Sequence, residues 1–249
     1  MFKASRFEYR FRFLIHALIF TLAFWAPWVE WIPGLDLTRK TTWLVASFWL
    51  SLHGWMSFQV ATIVLLVVAL LFTGLGAWLR TWGAAYVGVG VVASRAMHGT
   101  AMLTDGPYRR TRNPLYLGTL LHTIGIAILM PPSGAIFAII LIWVFQIRLA
   151  LAEEPFLAAQ FGQPYLNYAA AVPRFLPYPT PRAEAAGASP RWGQAVLGEL
   201  YFIAVFAVLA VLGWNFNAQW LRQGILISLG VWLVARAFMP AAKAETVAA

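Results

Sequence analysis

The sequence predicts an all-α, polytopic integral membrane protein with about five to seven membrane helices built around a central helical hairpin. Three observations carry that expectation. Hydrophobic types make up 61% of the 249 residues, charged types only 11%, and the mean hydropathy is +0.72. Soluble domains run at about 45–50% apolar and about 25% charged, so a soluble fold of this length has nowhere to hide the excess. The apolar residues also come in continuous runs such as Val60–Leu71. A transmembrane β-barrel needs segments of roughly 10 residues with alternating polarity, which excludes it here. Lipid forces backbone groups to bond within their own segment, and helices do that. Finally, two apolar runs meet at Pro131-Pro132-Ser133-Gly134, where proline and glycine stop one helix and turn the chain.

Apolar runs fall at 13–31, 42–56, 59–79, 115–130, 134–149, 195–214 and 224–239. A single membrane domain is expected over 1–249, with N-terminal helices at 13–79, a core at 80–178, a linker at 179–194 and C-terminal helices at 195–239. Lys3, Arg6, Arg10 and Arg12 precede the first run. That run contains Trp25, Pro27 and Trp28 and shows no small-residue cleavage site, so it reads as a retained helix rather than a signal peptide. Each arm of the hairpin is 16 residues. At 1.5 Å per residue an arm reaches only about 24 Å, against a hydrocarbon core of about 30 Å. The hairpin is therefore either extended by its flanks or partly sunk in one leaflet.

The net charge is +9, from 18 Lys+Arg against 9 Asp+Glu. The basic residues flank apolar runs, as expected of loop charge that orients helices and meets anionic headgroups. They form no interleaved basic-aromatic surface, so nucleic acid is not an expected partner. Residues 80–114 hold Arg80, Arg95, Arg109, Arg110 and Arg112 against the single acid Asp105. Residues 148–191 hold Arg148, Glu153, Glu154, Arg174, Arg182, Glu184 and Arg191, and Pro177–Pro190 reads as a linker. The positive-inside rule draws both stretches, and the basic N-terminus, to the cytoplasm. Three full crossings between residues 13 and 79 would put the N-terminus on the other side. Either one early run fails to cross or one cluster lies outside, and the sequence leaves that choice open.

Common soluble chemistry is absent. There are no cysteines, hence no disulfide, thiolate metal site or cysteine nucleophile. Gly88 and Gly90 make a GxG without the third glycine or the βαβ unit of a dinucleotide site. His16, His53, His98 and His122 are scattered without metal-ligand spacing, so no metal is expected. His16, His53 and His122 sit in apolar runs as helix-contact or interfacial residues.

The remaining polar residues are concentrated in two pieces. One runs Asp105-Gly106-Pro107-Tyr108-Arg109-Arg110-Thr111-Arg112-Asn113-Pro114-Leu115-Tyr116-Leu117-Gly118. The other holds Glu153-Glu154-Pro155-Phe156-Leu157, then Phe161-Gly162 with Tyr165 and Tyr168, then Val172-Pro173-Arg174. Each has a plain explanation: a turn holding headgroup phosphates, a helix N-terminal turn at Glu153-Glu154-Pro155, an interfacial aromatic belt. Together, two acids and several arginines at the ends of one hairpin make a polar pocket at the membrane face. Charges at that depth are costly and functional by default.

These pieces resemble the membrane-embedded methyltransferases that include isoprenylcysteine carboxyl methyltransferase and the phospholipid N-methyltransferases. The family pattern is GPYRxxRHPxYxG, a helical hairpin, then EExxL, FGxxYxxY and a proline-basic ending. The resemblance covers about residues 70–178. Asn113 stands where the pattern has histidine; asparagine donates and accepts hydrogen bonds but does not protonate as imidazolium.

The resemblance implies S-adenosylmethionine as methyl donor and a lipid or amphiphilic acceptor entering from the bilayer, and the positive-inside rule puts the site on the cytoplasmic face. It implies a cofactor-binding set of Tyr108, Arg109, Arg112, Asn113, Pro114, Tyr116, Gly118, Glu153 and Glu154. Glu154 and Arg174 are the expected catalytic residues, and Tyr165, Tyr168 and Arg174 the expected substrate-binding residues. Methyl transfer is an in-line displacement at a carbon activated by positive sulfur, so positioning and water exclusion suffice without a metal or an acid-base dyad. The competing class is a non-enzymatic membrane protein, such as a small transporter or an assembly factor. A transporter would carry its polar residues near the midplane in paired repeats, whereas here they collect at helix ends.

Overall fold

The computed structural model describes residues 2–25, 40–87 and 102–237. Pro27, Trp28, the pair Gly88 and Gly90, Arg95, His98 and the last two residues of the 224–239 run lie outside the described residues. Among the described residues every regular element is helical.

The chain opens with α1 (Arg6–Arg10) and α2 (Arg12–Trp25), followed by α3 (Thr42–Leu52) and the long α4 (Phe58–Val87). The hairpin is α5 (Pro114–Ile126), a 3-10 turn at Ala127–Leu129, and α6 (Pro132–Phe161). Then come α7 (Gln163–Ala171), α8 (Trp192–Gly198), α9 (Leu200–Leu212) and α10 (Ala218–Ala237). Pro114 and Pro132 sit at the first helical position of each arm, where the missing N–H costs nothing and the fixed φ suits the helix.

The two arms of the hairpin are unequal. α5 tightens into the 3-10 turn, whereas α6 continues for 30 residues to Phe161. At 1.5 Å per residue that is about 45 Å, so the hairpin is extended by its C-terminal flank. Among the described residues, α4 and α6 are the two helices long and apolar enough to cross a membrane. The pair Trp192–Gly198 and Leu200–Asn215, bent by 69°, makes a third span if counted as one. α2, α3 and Pro114–Leu129 are shorter apolar helices.

Close backbone contact between α4 and α5 fixes the centre. A Cβ on Gly76 would lie 2.8 Å from the Gly118 carbonyl oxygen, and one on Gly125 would lie 2.8 Å from that of Ala69. Small residues at helical spacing let helices approach where lipid supplies no hydrophobic drive between them. The opposite side of α4 exposes Val60, Val64, Val67, Val68, Leu71, Leu75 and Trp78, an apolar stripe suited to lipid. The core gathers Leu66, Ala69, Ile126, Leu129, Met130, Ala138, Val205, Leu209 and Leu221.

The hairpin tip marks the face away from the candidate site. The Met130 carbonyl accepts from the Thr42 N–H and hydroxyl at 2.7 and 2.9 Å. The Leu129 carbonyl accepts two N–H groups of Arg222 at 2.9 and 2.7 Å. Carbonyls at a helix end need such outside donors. Gly134 lies against the backbone of Ala23, so α2 also ends at this level.

The opposite face gathers the chain's polar segments. The Ala4 N–H donates to the Arg148 carbonyl at 2.9 Å, and Arg148 pairs with Glu8 at 2.8 Å. The basic N-terminus and both arginine-bearing stretches therefore share one face. The reason is α3: eleven residues span only about 16 Å, too short for a hydrocarbon core of about 30 Å. Of the two alternatives open in the sequence, the short α3 fits the one in which an early run fails to cross.

Gly118→Val is expected to lower stability by about 1–3 kcal/mol through overpacking, because its Cβ position is 2.6 Å from Arg80 Cγ and 3.0 Å from the Gly76 carbonyl. Gly193→Ala, where nothing lies within 4 Å, should be neutral or slightly stabilising. Thermal unfolding in detergent separates the two.

Candidate active site

The first polar piece folds as a loop wedged under α4. Gly106, at φ +57°, lets the chain turn, and the Tyr86 ring covers the place where a Cβ would sit. A 3-10 turn at Gly106–Arg109 follows, with Pro107 and Tyr108 buried. Asn113 precedes a proline, which disfavours the helical region, and it adopts φ −126°, ψ 57°. The chain thus stays out of the helical region at Asn113 and enters α5 at Pro114.

The segment after α7 runs alongside this loop. The Arg112 N–H donates to the Pro173 carbonyl at 2.9 Å, the Tyr178 N–H to Arg110 at 3.0 Å, and the Arg182 N–H to Arg109 at 2.7 Å. Side chains add to the seam. The Thr111 hydroxyl donates to the Phe175 carbonyl at 2.8 Å, and Asn113 Nδ2 to that of Arg174 at 3.1 Å. The stretch read as a linker carries bonds too: both Asp105 carboxylate oxygens accept backbone N–H groups, of Gly187 and Ala188, at 3.1 Å.

Glu153 and Glu154 sit in the last third of α6, with Pro155 inside the helix, not in a helix N-terminal turn. Proline there removes a helix hydrogen bond, yet the helix continues to Phe161. Neighbours on a helix point about 100° apart, and the two acids accordingly face different partners. Glu154 is gripped by Arg174 through two bonds, Nε to Oε1 at 2.8 Å and Nη2 to Oε2 at 2.7 Å. Arg112 approaches the same carboxylate at 3.4 Å. Glu153 Oε1 accepts the hydroxyls of Tyr116 at 2.7 Å and Tyr9 at 2.5 Å.

Two guanidiniums around one carboxylate leave one positive charge, and Arg112 Nε is buried with no hydrogen-bond partner. An unmet buried donor is costly, so the cluster is suited to an anionic oxygen. The Glu154 carboxylate raises the Arg174 guanidinium above its ordinary pKa, chiefly through their hydrogen bond. Arg174, 40% exposed against 14% for Glu154, is the cluster's outermost member.

The structure thus brings together Arg112, Asn113, Tyr116, Glu153, Glu154 and Arg174. It places other expected residues differently. Arg109 turns away and donates from Nε to the Ala183 carbonyl at 2.9 Å. Gly118 faces α4 at the helix crossing, and Pro114 packs beside Gly83. Tyr165 and Tyr168 are buried against Val172 and Leu157, with the Tyr168 hydroxyl bound to the Tyr108 carbonyl at 2.8 Å. Burial first, then neighbouring charge, pushes the Tyr165 hydroxyl up to about 12, and burial raises Tyr108 and Tyr168 as well. All three stay protonated at neutral pH, and Tyr168 donates to the Tyr108 carbonyl.

Comparison with known proteins bears on this arrangement. A family model described as phospholipid methyltransferase matches residues 64–164, which contain the loop, the hairpin and both acids. This match and the relatives that follow support the membrane methyltransferase family for the chain. It is 26% identical over 170 residues to protein-S-isoprenylcysteine O-methyltransferase A of Arabidopsis thaliana, covering 60% of this chain and 86% of that one. It is 32% identical over 114 residues to the Schizosaccharomyces pombe protein-S-isoprenylcysteine O-methyltransferase, covering 44% of this chain and 48% of the other. No solved structure matches. The protein is an integral membrane methyltransferase.

Several residues of this methyltransferase escaped sequence reasoning. Tyr9 belongs to a segment read only for its charge. Arg80 counted as one of five loop arginines and Glu199 as part of a plain apolar helix. The two form a buried ion pair, Nε to Oε2 at 2.6 Å and Nη2 to Oε1 at 3.0 Å. Arg80 also donates to the Thr119 hydroxyl at 2.7 Å and stacks on Phe202 at 4.0 Å. Its available signal was a lone arginine ending one apolar run and a lone acid opening another. His16 and His122 are helix contacts as expected. His16 meets Gln146 at 2.9 Å, and His122 stands edge-on to Tyr201 and Phe202. Among the described residues no three His, Cys, Asp or Glu side chains group to hold a metal.

Breaking a buried pair leaves an uncompensated charge and costs about 3–5 kcal/mol, whereas an apolar replacement of both partners is near neutral. Glu199→Gln is therefore expected to destabilise by about 3–5 kcal/mol, and Arg80→Met with Glu199→Leu to recover most of it. Denaturant unfolding in detergent checks this; equal losses in the single and double variants would contradict it.

Proposed function

We propose that this membrane methyltransferase transfers a methyl group from S-adenosylmethionine to a carboxylate of an amphiphilic acceptor, in the class of a prenylated cysteine, at a site facing the cytoplasm. The observation that carries the reading is the split of the two acids of α6 into distinct partner sets. Glu153, held only by neutral hydroxyls among its hydrogen bonds, suits the ammonium group or ribose hydroxyls of the donor. Arg112, with a buried unpartnered Nε, suits a carboxylate. The residues present therefore fit the donor. When bound, it supplies a methyl group already activated by positive sulfur.

The chain's own residues then have little proton work to do. Arg174, at the outer edge, draws in the acceptor carboxylate, and Glu154 fixes the guanidinium that does so. A carboxylate acceptor is already ionised and needs no general base. Asn113 carries no titrating proton, and its Nδ2 is committed to the Arg174 carbonyl, so it holds the Arg174 backbone. An amine acceptor would need a base to take its proton. Extended similarity to the two isoprenylcysteine O-methyltransferases, beyond the 64–164 match, supports the same choice. Tyr108, Tyr165 and Tyr168 form the floor beneath Arg112 and keep water out, while Pro114, Gly118 and Arg109 set the backbone that presents Arg112. Catalysis rests on alignment and water exclusion.

Purified protein is expected to bind S-adenosylmethionine or S-adenosylhomocysteine at micromolar levels, roughly −8 kcal/mol. Glu154→Gln should weaken that binding roughly ten- to a hundredfold, about 1.4–2.8 kcal/mol, by releasing both guanidiniums. Asn113→Ala should lose about 1–3 kcal/mol, while Asn113→His retains substantial activity without a new step near pH 6.5, the ordinary histidine pKa of about 6.5. Calorimetry showing no heat at millimolar donor would overturn the reading. Labelled-methyl transfer to a phospholipid amine but to no carboxylate would overturn the choice of acceptor.

A further inference from the structure

Tyr116 and Tyr9 donate to the same oxygen, Oε1 of Glu153, at 2.7 and 2.5 Å. Tyr116 comes from the helix that follows the signature loop. Tyr9 comes from α1, 144 residues from Glu153 and well outside the region 64–164 that the family model matches.

The N-terminal segment is built to deliver that hydroxyl. Ser5 and Glu8 close a capping box, with the Glu8 carboxylate on the Ser5 N–H at 2.6 Å and the Ser5 hydroxyl on the Glu8 N–H at 3.2 Å. Arg148 then clamps the segment. Its Nη2 reaches both Glu8 oxygens at 2.8 Å, its Nη1 donates to the Phe2 carbonyl at 3.0 Å, and its own carbonyl accepts from Ala4 at 2.9 Å. Arg148 lies five residues before Glu153 on the same helix. One helix therefore carries both the anchor of the segment and the carboxylate it reaches. Tyr9 itself is 7% exposed, with the Arg12 guanidinium 4.5 Å from its ring centroid. Burial, first among the causes, raises the Tyr9 hydroxyl above its ordinary value, so the O–H is the donor and the carboxylate the acceptor.

We propose that Tyr9 is a positioning residue of the donor site, acting through Glu153, so that the N-terminal segment completes a site the family region alone leaves with one hydroxyl. The proposal rests on the donor-site reading above. A carboxylate with one donor swings about its side-chain torsions, whereas two hydroxyls on Oε1 fix its plane. The bond to a cationic group of the ligand then falls to Oε2.

The test is a double-mutant cycle on the full-length protein in detergent. S-adenosylhomocysteine binding is titrated for the parent, Tyr9→Phe, Glu153→Gln and the double variant, and unfolding temperatures are recorded without ligand. Tyr9→Phe is expected to weaken binding about five- to tenfold in the parent, the loss of one hydrogen bond to a charged group, and to have no further effect in the Glu153→Gln background. Equal weakening in both backgrounds, or none in the parent, overturns the proposal and leaves the donor site intact. A parent that binds nothing at millimolar ligand overturns the donor-site reading, and this proposal with it. If Tyr9→Phe does not fold, Arg148→Gln, which releases the segment without touching either hydroxyl, is measured in the same cycle with the same expected dependence on Glu153.

Discussion

Two adjacent carboxylates on a helix long enough to span a membrane are the constraint on which the rest of this structure depends. A charge at that depth is tolerated only with partners. α6 cannot supply them, since neither acid has a basic neighbour three or four residues away on the helix. Partners are therefore recruited from far along the chain. Tyr9 comes from the N-terminus, Arg112 and Tyr116 from the signature loop and its helix, and Arg174 from the segment after α7. Meeting those needs forces four stretches of sequence onto one face.

The helix crossings explain why that convergence is possible. Gly76, Gly118 and Gly125 let α4 and α5 touch backbone to backbone, which brings Arg80 beside Leu115 and Thr119. The same arginine receives Glu199 at the 69° bend between α8 and α9. The C-terminal hairpin is thereby tied at both ends. Arg80 holds it near the site, and Arg222 caps the carbonyl of Leu129 at the far tip. The last two helices are thus joined to the methyltransferase core by polar bonds as well as by apolar contact.

Much of this was legible in the sequence, for stated reasons. Composition and continuous apolar runs specify membrane helices, because lipid leaves few alternatives. Pro131-Pro132 marks the hairpin turn because proline cannot continue α5 and is well placed to start α6. The ordered motifs located Arg112, Tyr116, Glu153, Glu154 and Arg174. What stayed hidden depends on tertiary contact. The 42–56 run looked like a span, yet its helix stops at Leu52 after eleven residues. Pro155 suggested a helix start, yet α6 runs through it. Tyr9 and Glu199 carry no local pattern, since their roles come from partners 144 and 119 residues away.

The central claim is geometric: the N-terminus, the signature loop and the segment after the hairpin meet on one membrane face, opposite the α3–α4 turn. The chain contains no cysteine, so single substitutions give unique labelling sites. Lys3→Cys and Ser189→Cys stand at exposed positions on the site face, and Ser57→Cys at an exposed position on the far turn. The direct measurement is labelling by a membrane-impermeant maleimide in sealed vesicles of one orientation. The expected result is that positions 3 and 189 react from the same side and position 57 only from the other. Labelling of positions 3 and 189 from opposite sides would contradict the convergence on Glu153 and Glu154.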